Sequence, residues 1–392
     1  MSELSYLEKL LDGVEVEWLP LAKVCRLING RAYKQEELLS KGKYPVLRVG
    51  NFFTNQNWYY SDLELDQDKY CDNGDLLYAW SASFGPRIWH GGKSIYHYHI
   101  WKVVPDSNLI CKQFLYYLLQ WDTKALKDAH STGSTMMHIS KTTIEKRLVP
   151  IPCPDNPEKS LAIQSEIVRI LDKFTALTAE LTAELTAELN MRKKQYNYYR
   201  DQLLSFKEGE VEWKTLGEVA VIGTGNHDTQ DAIEHGKYIF YARGREPLKL
   251  NVFDFDETAI ITAGDGAGVG KVFHYAKGKY ALHQRAYRIV PNAFMNPRFV
   301  YHYITAYFFT YIQKASVSSS VTSLRRPMFL KFPIPVPPSE EQARIVEILD
   351  KFDTLTNSIT EGLPREIELR QKQYEYYRDL LFSFPKPETV SN

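Results

Sequence analysis

The sequence predicts an α+β protein built from two pseudo-symmetric halves, each an α/β block followed by a long helix, and three observations carry that expectation. The first is residues 178–189, where Thr-Ala-Glu-Leu is written three times in succession. Leu177, Leu181, Leu185 and Leu189 therefore recur every fourth position, which keeps them near one helix face with a drift of about 40° per step. Ala, Glu and Leu are strong helix formers, and neither Gly nor Pro interrupts residues 161–206. At 1.5 Å per residue that stretch predicts a rod of order 65 Å.

The second observation is a duplication. Residues 167–174 read IVRILDKF and 345–352 read IVEILDKF; 195–201 read QYNYYRD and 373–379 read QYEYYRD. The two pairs share one offset, so Leu177, Leu181, Leu185 and Leu189 fall opposite Leu355, Ile359, Leu363 and Ile367. Gly362 and Pro364 lie inside the second copy, and an interior Pro removes a hydrogen bond and clashes with the preceding turn, which predicts a kinked or broken second rod. The third observation is that the intervening blocks, residues 19–150 and 214–333, repeat each other in pattern more than in wording.

Taken in order, residues 3–12 predict a short helix with Tyr6, Leu7, Leu10 and Leu11 on one side. EVEW comes next at 15–18 and returns at 210–213, and SYLEKLLDG resembles the YYRDQLLSFKEG that ends the central helix. The N-terminal stub thus reads as the end of a rod whose body lies at the C-terminus, which would bring the termini together. Each block offers an apolar strand (LLYAW at 76–80, AIITA at 259–263), a small-residue turn (81–85, 264–268) and a basic, aromatic strand (87–90, 271–274). A further strand comes after these, HYHIWKVVP at 97–105 and HQRAYRIVP at 283–291, then an aromatic helix from Phe114 and from Phe299. A Ser/Thr-rich loop leads to PIPCP from Pro150 and PIPVPP from Pro333, where Pro at every second residue predicts an extended linker. The expected segments are 1–18, 19–150, 151–213, 214–333 and 334–392.

Composition narrows the class. The chain has 392 residues, 44% hydrophobic and 24% charged, as an ordinary globular protein has. Lys plus Arg equals Asp plus Glu, so any basic surface has to be local. Cys25, Cys71, Cys111 and Cys153 show no Cys-x-x-Cys spacing, which argues against zinc or a disulfide framework and fits reduced thiols in a cytoplasmic protein. The N-terminus lacks the basic and apolar regions of a signal peptide, and no run is long and apolar enough to predict a membrane span.

Residues 264–271, GDGAGVGK, fall short of two phosphate-binding patterns. A P-loop needs Gly at 265 and Ser or Thr at 272, where Asp265 and Val272 stand, and Val269 occupies the third Gly of a dinucleotide fingerprint. A glycine hairpin that lets backbone approach a ligand is the reading retained. His97 and His99, expected on one strand face, are a minimal metal hint, but the counterpart block keeps His283 and places Arg285 at the second position. An exchange of His for Arg suits a surface that touches anions or bases. No catalytic constellation is legible.

What recurs is basic side chains among aromatics and small residues. The first block supplies Arg31, Tyr33, Lys34, Arg48, Trp80, Ser81, Ser83, Arg87, Trp89, Lys93, His97, His99 and Lys141. The second supplies Tyr241, Arg243, Arg245, Lys249, Lys271, Lys277, Lys279, Arg285, Arg288, Arg325 and Arg326, and Asp265, in the small-residue turn, is expected beside Lys271 and Arg285 at the same surface. Arg and Lys contact phosphates and guanine edges, and Ser can contact either backbone or bases.

The paired IVRILDKF and QYNYYRD segments, the tandem Thr-Ala-Glu-Leu run, SASFGPRIWHG, YHYHIWKV and the helix starts SLAIQSEIV and SEEQARIVEIL together resemble the specificity subunits of type I restriction-modification systems, the tandem run being similar to the type IC subfamily. That resemblance covers the whole chain. It implies two target-recognition domains, each reading half of a split double-stranded DNA site, separated by two long antiparallel, coiled-coil-like helices. It further implies that these helices act as spacer and as docking surface for two methyltransferase subunits, that restriction subunits join the core, and that this subunit binds no cofactor and performs no catalysis. The alternative is a non-catalytic two-domain scaffold binding proteins through its helices and sugars or peptides through its blocks.

Overall fold

The computed structural model describes residues 6–53, 55–81, 84–130, 138–207, 209–315, 323–358 and 360–386. In chain order the elements begin with α1 (Tyr6–Leu11), β1 (Val16–Pro20), α2 (Leu21–Val24), β2 (Cys25–Asn29), β3 (Tyr44–Leu47), α3 (Val49–Phe53) and β4 (Tyr59–Ser61). Next come β5 (Tyr70–Cys71), β6 (Leu76–Ala79), β7 (Gly85–Ile88), β8 (Ser94–Tyr96), β9 (Ile100–Pro105), α4 (Lys112–His130), α5 (Lys141–Glu145), β10 (Leu148–Pro152) and α6 (Pro157–Leu203). The second pass gives β11 (Glu212–Thr215), α7 (Leu216–Val219), β12 (Ala220–Thr224), β13 (Tyr238–Tyr241), β14 (Leu248–Leu250), β15 (Phe255–Ala263), β16 (Phe273–Leu282) and β17 (Ala286–Pro291). It ends with α8 (Pro297–Ala315), α9 (Arg326–Leu330), β18 (Pro333–Val336), α10 (Ser339–Asn357) and α11 (Leu363–Leu381). Two compact units result: Met1–Thr182 with Leu369–Asn392, and Ala183–Glu368.

The second unit holds one six-stranded sheet, β12-β17-β15-β16-β13-β14, in which ten-residue β16 pairs antiparallel with β15 and parallel with β13. The first unit divides the same arrangement into two four-stranded sheets, β2-β9-β6-β7 and β4-β3-β8-β5. The physical difference is local. Where β16 is continuous, the first unit has β7 and β8 separated by residues 89–93, with the Trp89 indole donating to the carbonyl of Gly92 at 3.1 Å. Trp89 and His90, and likewise Lys271 and Val272, therefore lie outside the strands expected of them.

The Pro-alternating exits are strands rather than linkers. β10 pairs antiparallel with β1, and β18 with β11. Cys153 donates its N–H to Glu15 O at 2.7 Å and Leu21 to Arg147 O at 2.8 Å, so odd-numbered residues of β10 face the partner and Pro150 and Pro152 take the alternate positions. A Pro every second residue thus costs the ladder nothing, because its missing donor points away from the pairing.

In each unit a long helix (α4 or α8) covers the sheet, and a further helix packs on that. Phe114, Leu115 and Leu118 of α4 join Leu76, Trp101 and Val103 of the sheet and Ile163, Ile167 and Leu171 of α6 in one core. Phe299, Ile304 and Phe308 of α8 join Ile260, Ile289, Ile345 and Leu349 in the other. A buried glutamine fixes each junction. Gln164 accepts from Cys111 N at 2.9 Å and donates to Leu109 O at 2.9 Å; Gln342 accepts from Asn296 N at 2.7 Å and donates to Phe294 O at 3.2 Å and Pro337 O at 2.9 Å.

α6 is one helix of 47 residues, opened by Asn156, whose side chain accepts from Lys159 N at 3.0 Å, with Pro157 in its first turn. Its fully buried residues, Ser160 to Leu171, all lie in the first turns. Beyond them Leu177 is exposed and Leu181, Leu185 and Leu189 are half-buried, so the tandem stripe is a partly wet face rather than a closed coiled-coil seam. The opposing set is broken, as Gly362 and Pro364 require: α10 stops at Asn357 and α11 starts at Leu363. Gly362 has φ +80°, and a Cβ there would lie 2.5 Å from Thr354 O. Leu363 is buried, Leu355 and Ile367 are half-buried, and Ile359 lies outside the described residues.

Within the first unit Phe174 of α6 stacks on Tyr377 of α11 at 5.2 Å, and Thr175 meets the Tyr374 hydroxyl at 3.0 Å. Within the second, Tyr199 of α6 stacks on Phe352 of α10 at 5.5 Å. Leu7 and Leu11 of α1 share a core with Leu381, Phe382 and Phe384, and the Trp18 indole donates to Pro385 O at 2.7 Å, so α1 and β1 meet the segment that follows α11. Tyr6 departs from the expected apolar side: it is exposed, its hydroxyl 3.3 Å from Glu166.

Candidate nucleic-acid interface

The two units build one corner from the same backbone hydrogen bonds. In the first, His97 N–H donates to Leu47 O (2.9 Å), Arg31 N–H to Tyr96 O (3.0 Å), Trp80 N–H to His99 O (3.0 Å) and Ile139 N–H to Trp80 O (3.0 Å). In the second, His283 N–H donates to Tyr241 O (3.0 Å), His227 N–H to Leu282 O (3.3 Å), Gly264 N–H to Arg285 O (2.8 Å) and Leu324 N–H to Gly264 O (2.7 Å). Each corner is finished by an imidazole: His97 Nδ1 accepts from His99 N at 3.4 Å, and His283 Nδ1 accepts from Arg285 N at 2.9 Å. These side-chain bonds take the place of ladder bonds, which is why His97 and His99, and likewise His283 and Arg285, occupy tight corners before β9 and β17 instead of one strand face. Glycine is required beside them. A Cβ on Gly30 would stand 2.3 Å from Tyr96 O, and one on Gly225 1.9 Å from Leu282 O.

An imidazole that accepts at Nδ1 has to be neutral. Burial first, then the charges of His99 and Arg48, push His97 down to about 4. Burial and Arg243 push His283 in the same direction. The corners are therefore fixed by neutral histidines, and isolated bridges Ser81–His138 and Asp265–Ser323 extend each.

On that shared frame the side chains differ. The first corner is aromatic. Trp80 stacks on Trp101 at 5.8 Å and meets His99 edge-on at 4.7 Å and His138 at 5.8 Å, while its indole donates to Tyr98 O at 2.8 Å. Arg31 is engaged by Glu37 through two hydrogen bonds of 2.7 and 2.8 Å. Those bonds and the Lys34 N–H hold the Glu37 carboxyl at about 2. The Lys34 ammonium is exposed, 3.8 Å from Glu36, and the Arg48 guanidinium lies 4.3 Å over the Tyr59 ring. Arg87 is exposed on β7 with its guanidinium 5.2 Å over Phe53, and Trp89 lies 6.3 Å from Trp58. Ser81 is buried, and Ser83 lies outside the described residues.

The second corner is ionic. Asp265 accepts from Arg243 at 3.0 Å through one oxygen and from Arg285 at 3.0 Å through the other. Burial alone would raise this carboxyl, but the two guanidiniums outweigh it and hold the carboxyl below its ordinary value. The structure thus brings together Arg243, Asp265 and Arg285. Lys271 points elsewhere, 4.9 Å over the Phe309 ring of α8, while Arg245 is exposed and Arg325 is the exposed N-cap of α9. Sequence reading missed His138, Ser323 and His227. HISK at 138–141 and SLRR at 323–326 occupy equivalent places before α5 and α9, but their wording shares too little to align without the backbone.

Among the described residues no group of three or more His, Cys, Asp or Glu is placed to hold a metal, and no helix is long and apolar enough to cross a membrane. All four cysteines are free thiols, with Cys25 and Cys71 buried and pushed up to about 12 by burial.

Comparisons with known proteins agree with this duplicated architecture. The family description "Type I restriction modification DNA specificity domain" matches residues 14–191 and again 208–369. A type I restriction enzyme specificity subunit of Escherichia coli is 44% identical over 428 aligned positions that cover all of both chains. The EcoprrI specificity subunit, also of Escherichia coli, is 40% identical over 92% of this chain and 93% of its own. In fold, the chain is similar to the S subunit of a type I restriction-modification system from M. genitalium (TM-score 0.53, 16% identity, covering 96% of this chain and 98% of that one). It is also similar to a chain from a study of type I system assembly and conformational transition (TM-score 0.62, 14% identity, 94% and 97% covered). Two matched domains, whole-length identity and a shared fold lead to one conclusion: this chain belongs to the family of type I restriction-modification DNA specificity subunits.

Proposed function

We propose that residues 19–150 and 214–333 each read one half of a bipartite double-stranded DNA site, and that α6 with α10 and α11 sets the interval between the halves and carries two methyltransferase subunits, to which restriction subunits attach. In this reading the chain itself is non-catalytic, binds no cofactor and works in the cytoplasm. The observation that carries it is the repeated corner: one backbone hydrogen-bond frame presents aromatic and imidazole groups in one unit and a guanidinium–carboxylate–guanidinium set in the other. A frame kept while its side chains diverge is what two readers of different base sequences need, since base edges specify and the backbone scaffold only positions. Matched exposed tyrosines, Tyr198 with Tyr376 and Tyr199 with Tyr377, support docking of one kind of partner twice.

The test is co-expression with the cognate methyltransferase subunit and then mapping of methylated positions in plasmid and chromosomal DNA. Methylation at two short specific sequences separated by a fixed unspecified gap is the expected result. Methylation without such a pattern, or DNA affinity indifferent to salt, would favour the protein-binding scaffold, because phosphate contacts make affinity fall with ionic strength.

A further inference from the structure

We infer that Arg285 reads a guanine in the half-site taken by residues 214–333, with Asp265 as the positioning residue that holds it; this rests on the DNA-reading function proposed above. Arg285 stands on a corner whose backbone is fixed from both sides, its N–H donating to His283 Nδ1 at 2.9 Å and its carbonyl accepting from Gly264 at 2.8 Å. Gly264 permits that approach, since a Cβ there would lie 2.6 Å from Arg285 O. One guanidinium N–H binds Asp265 at 3.0 Å, while the Arg285 side chain remains 64% exposed against 24% for Asp265. One of its five donors is therefore committed to Asp265, and the others belong to a largely exposed side chain, free to meet the O6 and N7 acceptors of guanine.

Charge decides between base and phosphate. Arg243, Arg285 and Asp265 together carry two positive charges and one negative, so the repulsion of the carboxylate cancels about half of the attraction a phosphate would feel. A phosphate contact gains nothing from such a neighbour. A base contact does, because discrimination depends on holding a planar fork in one orientation. Among the described residues the first unit has no such set at this place: Trp80, His99 and His138 occupy it, and Arg31 has its own carboxylate in Glu37. The guanine contact therefore belongs to one half-site only.

The full chain is to be co-expressed with its methyltransferase subunit as the unsubstituted protein, Arg285→Ala, Arg285→Lys and Asp265→Asn, with methylation mapped genome-wide and binding measured on the mapped site and its single-base variants across a salt series. The expected result is that Arg285→Ala relaxes one position, a G·C pair in the half-site assigned to 214–333. Discrimination there falls by about tenfold to a hundredfold, while the other half-site is unchanged. Arg285→Lys keeps the salt slope and loses the same discrimination, because it keeps charge without the fork. Asp265→Asn relaxes the same position while affinity for unrelated DNA holds or rises. Uniform weakening of all sequences with a shallower salt slope would make Arg285 a phosphate contact and overturn the inference, as would an unchanged pattern or relaxation at an A·T pair. An unsubstituted complex that methylates no bipartite sequence would remove the functional reading itself, an outcome visible before any substitution is made.

Discussion

His97 shows how a single side chain can be structural in one role and misleading in another. Read from sequence it is half of a His-x-His pair; in the fold its ring is a hydrogen-bond acceptor that closes a corner. Its folded value of about 4 lies below the ordinary 6.5, so between those values the unfolded chain binds the proton and the folded one does not. Stability from this group is therefore complete above about pH 6.5 and lost as pH falls toward 4. Glu37, held at about 2 against an ordinary 4.5, acts with the same sign in the lower window, from 4.5 down to 2. Denaturant titrations from about pH 7 to 4 should show the unfolding midpoint falling with pH, and His97→Asn should flatten the upper part of that slope while Glu37→Gln leaves it in place. Equal slopes for His97→Asn and the parent would mean that His97 does not set this dependence.

At the scale of elements, the junction glutamines and the tandem helix make separate claims. Gln342→Ala leaves the Asn296 N–H and the carbonyls of Phe294 and Pro337 without their partner in a buried place. An unsatisfied buried polar group costs about 1 to 3 kcal/mol, so the variant should unfold at clearly lower denaturant, with Gln164→Ala behaving alike in the other unit. A loss within experimental error for both would show that the helices are held by apolar packing alone. Removing residues 182–185 deletes one Thr-Ala-Glu-Leu unit, shortening α6 by about 6 Å and turning the remainder of the helix by roughly 40°. Leu189 then moves into the phase of Leu185, so the half-buried stripe persists and folding should survive. Methylation mapping of this variant should return both half-sites intact with the gap one base pair shorter, since duplex DNA rises about 3.4 Å per base pair and an oblique rod projects less than its length. An unchanged gap would place the ruler elsewhere.

For the molecule as a whole, specificity should be modular because each unit carries its own sheet, covering helix and core. Replacing residues 19–150 with the matching block of a relative should change one half-site and preserve the other, as methylation mapping of the chimaera would show. Change in both halves would mean that the two blocks are read jointly. With zero net charge, attraction to DNA has to come from local sets such as Arg243 with Arg285, so binding should weaken with salt although the chain is neutral overall.

The architecture was legible because it is written in local signals. Four-residue leucine spacing, an uninterrupted run of helix formers and repeated segments at one offset determine α6 and the doubling of the fold, and Gly362 with Pro364 determines the break between α10 and α11. Those are properties of neighbours in sequence, where sterics and propensity act without help from distant residues. The pairing of Asp265 with Arg243 and Arg285 needed the folded chain, because these residues are separated by 20 or more positions and meet only when β13, β15 and the corner before β17 lie side by side. The Pro-rich exits show the same limit. Proline alternation excludes helix, but whether an extended segment is a linker or a strand depends on a partner, and β1 and β11 lie more than a hundred residues earlier. The corner histidines are the clearest case: spacing put them on a strand, and although each ring bonds a backbone N–H only two residues on, it is the distant partners, Leu47 O for His97 N and Tyr241 O for His283 N, that fix the corner.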